Sequence, residues 1–141
     1  MRIAFDPATL HQSKRGSITG VVYFDFGGAE AFPIEGWNDF VVVIAGWWLS
    51  AMAQVAGGSG EAQLRFMDGP YWVTVRAQDP ARLQLHCIED RRGAGEVFQA
   101  EVDTEELASE MRRFARDVAQ ACAAAGFDSP ELAELRRYLP N

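Results

Sequence analysis

The chain is short of the side chains that hold transition metals. It has two histidines and two cysteines, and no CxxC, HxH or HExxH spacing among them. His86 and Cys87 are adjacent, so on a strand they point to opposite faces and make a poor ligand pair. His11 falls in a polar segment, and Cys122 falls on an apolar helical stripe. Two cysteines make no disulfide framework, and buried inert thiols are the simpler reading. The glycines of FGG (26–28), GGSG (57–60) and RRGAG (91–95) read as turns, because none follows the phosphate-cradling patterns between a strand and a helix. Ser50 and Ser59 lack a nucleophile elbow. No cofactor and no metal is expected, and the expected class is a non-enzyme.

Basic charge is also scarce. Thirteen Lys and Arg stand against twenty Asp and Glu, for a net charge of -7 and a pI near 4.8. That balance argues against nucleic acid, whose binding draws on clustered Lys and Arg. It suits a basic protein partner, which an acidic surface steers toward itself. A long membrane-spanning run is lacking too. Phe40 to Ala53 is 14 residues with Ser50 its one polar member, whereas a spanning helix needs about 20. Asn38 and Asp39 bound it upstream, and Gln54 with GGSG bounds it downstream. The segment MRIAFDPATLHQSKRGS has no continuous apolar stretch of the secretory kind. No membrane association is expected, and the expected location is the cytoplasm.

What the chain does have is a core. Its 141 residues are 48% hydrophobic and 23% charged, the range of one compact domain over 1–141. MRIAFD reads as a first strand and HQSKRG as a loop. SITGVVYFDF alternates, with Ile18, Gly20, Val22, Phe24 and Phe26 on one face. AEAFPIEG reads as irregular because Pro33 opposes a regular element. Asn38 or Asp39 then caps a helix over 39–56 carrying Phe40, Ile44, Trp47 or Trp48, Met52 and Val55 at helical spacing. EAQLRFM and YWVTVRA flank the turn DGP, and RLQLHCI and GEVFQAEV follow as two further strands. Asp103 with Glu106 suggests a capping box for a helix bearing Leu107, Met111, Phe114, Val118 and Cys122 and closed by Gly126. Ser129 and Pro130 begin a last short helix. The order β-β-α-β-β-β-β-α-α predicts an α+β fold. Its expected form is a two-layer sandwich, with one six-stranded, mainly antiparallel sheet covered by helices on one face.

Candidate functional residues are aromatic and acidic. Trp37, Tyr71 and Trp72 suit a recognition surface or a pocket wall, since aromatics contribute disproportionately to interfaces. Asp25, Asp39 and Asp68 sit near element ends beside aromatics, and paired carboxylates perform acid–base chemistry when their environments differ. Core packing, helix capping and turn formation explain the same six residues without any function. The apolar helix needs cover on more than one side, which leaves room for a second copy of the chain.

The run FPIEGWNDF, followed by WWLSAM and FMDGPYWVTV, resembles small bacterial α+β proteins, some of them similar to immunity proteins of toxin–immunity systems. The resemblance covers roughly residues 18–125 and is carried by Phe32, Pro33, Trp37, Asp39, Phe40, Asp68, Gly69 and Pro70. It implies a small, acidic, non-catalytic protein that inhibits a toxin by binding it, and it transfers no functional residue. Three functions follow as expectations. The first is a protein-binding protein that occludes a partner, the second a small enzyme or small-molecule-binding domain, and the third a homo-oligomeric structural module.

Overall fold

The computed structural model describes residues 1–139. Within them the chain forms β1 (Arg2–Gln12), β2 (Ile18–Gly27), β3 (Glu30–Phe32) and β4 (Asn38–Asp39), then α1 (Val41–Gln54). A π-helical turn, Val55–Ser59, continues α1. β5 (Glu61–Arg65), β6 (Tyr71–Asp79), β7 (Arg82–Asp90) and β8 (Ala94–Asp103) follow, and α2 (Thr104–Ala125) and α3 (Pro130–Arg137) close the order.

The expected single six-stranded sheet is not what forms. The eight strands divide into two four-stranded antiparallel sheets. In the first, β2 pairs with β1 along one edge and with both β3 and β4 along the other. The second is the meander β5-β6-β7-β8. The difference comes from the segment around Pro33. It holds two strands of only three and two residues, too short for any alternating pattern. They complete a sheet around β2, and α1 then separates that sheet from the meander.

Each helix forms for a legible reason. In α2 the Asp103 side chain accepts from the Glu105 and Glu106 backbone N–H groups, and Gly126 ends the helix in the left-handed region. In α3 the Ser129 hydroxyl accepts from Leu132 N–H with Pro130 in the first turn. α1 differs from the expectation, because its N-cap position is Phe40, without a side-chain cap, and Asp39 belongs to β4. It also runs longer. With the π turn, Val41–Ser59 spans 19 residues, enough by length and composition to cross a membrane, and 39% of its most apolar 18-residue window is buried within this fold. α1 lies against β2 of one sheet and β5 of the other, and against α2 and α3.

The core sits where these surfaces meet. The inner rows of the meander, Leu64–Val73–Cys87 and Ala62–Val75–Leu85, are buried. Trp48 is the hub. Its ring stacks on Phe24 at 5.0 Å and lies 5.3 Å from Phe66 and 5.5 Å from Phe114, while its indole N–H donates to the Arg65 carbonyl at 2.7 Å. One side chain thus joins both sheets and two helices. Burying each of Phe24, Leu64 and Phe114 contributes on the order of 2 kcal/mol.

Candidate functional site

The six candidate residues part company in the structure. Trp37, Asp39, Asp68 and Tyr71 converge, and Asp25 and Trp72 lie elsewhere. Asp39 has no exposed surface. Its carboxylate accepts from Trp37 Nε1–H at 2.9 Å, from Phe40 N–H at 2.7 Å, and from the Met67 and Asp68 N–H groups at 3.3 and 3.1 Å. Four donors from two distant segments therefore surround one carboxylate, which is how a buried charge is held. Tyr71 crosses the Trp37 ring edge-on at 5.2 Å, and Arg91 lies beside Tyr71 and bonds its hydroxyl at 2.5 Å. Asp68 joins through its backbone, its side chain being exposed. Asp25 accepts from Gly27 N–H at 2.9 Å at the end of β2. Trp72 lies on the outer face of the meander under the Arg65 guanidinium, 4.7 Å from its ring centre. The Asp39 cluster is thus a latch between β4 and the β5–β6 turn, with its carboxylate already fully engaged.

Concave surface lies on the other side of α1. A groove of about 800 Å³ is walled by α1 and the π turn, the β6–β7 turn and the first two turns of α2. Leu49, Met52, Val55, Leu83, Ala108 and Met111 form its apolar lining. A smaller hollow of about 230 Å³ opens between α1 and α3 beside Trp47. Tyr138 lines both, so the two meet at its ring. Trp47 is 45% exposed and Tyr138 52%.

Sequence supplies the reason for this face. α1 is apolar nearly all round, with Val41, Val42, Ile44, Ala45, Trp48 and Ala51 turned into the core. That leaves Trp47, Leu49 and Met52 on the remaining surface. Past Gln54 the π turn contributes no buried residue. The α1 surface therefore stays apolar where the protein ceases to cover it.

Polar groups stand at the rim. Asp79 accepts from Ala81 and Arg82 N–H at 2.8 and 3.0 Å, fixing the β6–β7 turn. Glu105 pairs with Arg112 at 2.9 Å. Glu131 and Glu134 border the smaller hollow. The Thr104 hydroxyl, beside the groove, is buried without a hydrogen-bond partner. An aliphatic and thioether floor with charges at its edge is suited to burying apolar side chains and orienting them by charge. The thiols stand apart from it. Burial, with Glu96 nearby, pushes Cys87 up to about 12, and burial likewise raises Cys122. Among the described residues no three His, Cys, Asp or Glu side chains gather as a metal set.

No known protein family, curated protein or solved structure matches the chain.

The sequence leaves Trp47 and Trp48 as alternatives on one helix and does not single out Tyr138, Glu131 or Glu134. Tyr138 caps the end of α3, between Leu135 and Leu139 of the expected apolar side of that helix. Its exposure depends on how α3 docks on α1, a tertiary fact with no local signal.

Proposed function

We propose that this is a non-catalytic, cytoplasmic protein-binding protein of the immunity type, which acts by covering a partner's surface. One observation carries the reading: the uncovered apolar side of α1, with Trp47 and Tyr138 presented beside the groove. Large aromatics around a concave apolar floor are the usual anchors of a protein interface. The resemblance to immunity proteins and the net charge of -7 point the same way. The test is co-expression with the products of adjacent genes, with complex formation followed by size-exclusion chromatography and protection followed in cells. A complex that Trp47→Ala with Tyr138→Ala abolishes supports the reading. Absence of any complex and of any protection overturns it.

A second reading has its own support. The groove's 800 Å³ falls within the range of about 300–1,000 Å³ usual for small-molecule pockets. Saturable binding of an apolar dye, competed by a small molecule and insensitive to Trp47→Ala, favours this reading over the first.

A further inference from the structure

We propose that the groove receives an amphipathic helix with a basic outer face, supplied by the protein partner. The inference rests on the protein-binding reading and adds the partner's shape and charge. Shape comes first. Along α1 and its π turn the residues Gly46, Ser50, Ala53 and Gly57 recur at spacings of four, three and four, the first two facing the hollow beside α3 and the last two exposed. A Cβ built on Gly46 or Gly57 meets nothing within 4 Å, so the ridge of α1 is low and open there. Trp47 flanks it on one side, and Leu49 and Met52 flank it on the other. The 14 residues of α1, Val41–Gln54, extend about 21 Å at roughly 1.5 Å per residue, the length of about four turns of a second helix, and the chain kinks beyond it at Gly58 (φ 97°). A helix laid in such a groove inserts side chains at i, i+3, i+4 and i+7. The π turn at the end of α1 has no fully buried residue, and Val55 packs against the core at its start.

Charge selects which helix. Asp79, Glu105, Glu131 and Glu134 line the two concavities, against the single guanidinium of Arg112. Arg112 is already bonded to Glu105. Among the described residues, no ion pair involves Glu131 or Glu134. Lysines or arginines flanking an apolar stripe would meet these carboxylates as the stripe enters the floor. The same charges disfavour a second copy of this chain, since a two-fold contact through this face would gather both copies' Glu131 and Glu134 at one interface with no matching excess of base.

The test uses the full chain and a labelled helical peptide of about 18 residues, with leucines at i, i+3, i+4 and i+7 and lysines elsewhere. Its controls are a scrambled peptide of the same composition and a glutamate-for-lysine version. Binding is read by fluorescence anisotropy. The lysine helix is expected to bind and both controls to fail. Glu131→Gln with Glu134→Gln should weaken binding about fivefold at low salt, as two exposed charge pairs permit. Glu30→Gln with Glu35→Gln, the same charge change at exposed positions outside the groove, should leave it within about twofold. Equal binding of the scrambled peptide, or equal effects of the two double variants, overturns the proposal in favour of unspecific charge attraction. A solution mass of twice the chain, restored to the monomer by Trp47→Ala, overturns it in favour of self-association. A cognate complex that needs Trp47 but is indifferent to Glu131→Gln with Glu134→Gln leaves the protein-binding reading standing and removes this one.

Discussion

The indole N–H of Trp37 donates to the carboxylate of Asp39 at 2.9 Å, and that buried carboxylate also receives the N–H groups of Met67 and Asp68. A two-residue strand of one sheet thereby holds the turn that opens the other. Asp39→Ala would strip the partner from four donors at once. Each unsatisfied buried group costs about 1–3 kcal/mol, and partial hydration of the opened site reduces the sum. The expected loss is therefore about 3–5 kcal/mol, read as a lower urea midpoint. Asp39→Asn keeps the size but brings an NH₂ toward N–H donors, so it should recover less than half of that loss.

Gly69 provides a second check on the same latch. It sits at φ 146°, and a Cβ there would meet the Trp37 ring and Tyr71 at 3.0 Å. Gly69→Ala should cost about 1–3 kcal/mol and change the Trp37 emission. Wild-type stability and an unchanged spectrum would mean that the ring does not cover the turn.

Acid should act through Glu110. Its Oε2 accepts from Ile3 N–H at 2.6 Å, and Arg113 donates to both Glu110 and the Ile3 carbonyl, tying β1 to α2. Burial pushes the Glu110 carboxyl up, but Arg113 and the Ile3 N–H outweigh it and hold it below its ordinary value. A carboxyl lowered on folding stabilises fully above its unfolded value, and the contribution is lost as pH falls through the folded value. Melting temperature measured by circular dichroism should therefore fall on acidification. Glu110→Gln should melt lower at neutral pH and show a shallower acid decline. Parallel curves for the two proteins would contradict this role.

Local signals made α2, α3 and the meander legible. Asp103, Ser129 and Gly126 act at the helix ends where their chemistry predicts, and the β5–β6 turn falls on the Asp-Gly-Pro residues. The sheets were not legible, because pairing is a long-range choice and β3 and β4 offer too few residues to carry a pattern. Asp39 illustrates the limit. Read locally it is a helix cap, yet its partners Met67 and Asp68 lie 28 and 29 residues away. The adjacent pair Trp47 and Trp48 shows it again. Both fit the apolar period, and only docking against Phe24 and Phe66 decides that Trp48 is buried and Trp47 left at the surface.

The most direct test of the account is amide hydrogen exchange on the protein bound to its cognate partner, compared with the free chain. The account predicts new protection over residues 43–59 and in the last turn of α3, with little change on the outer face of the meander. Protection centred on Arg65, Trp72 and Ile88 with α1 unaltered would place the interface on the opposite side of the fold and contradict the account.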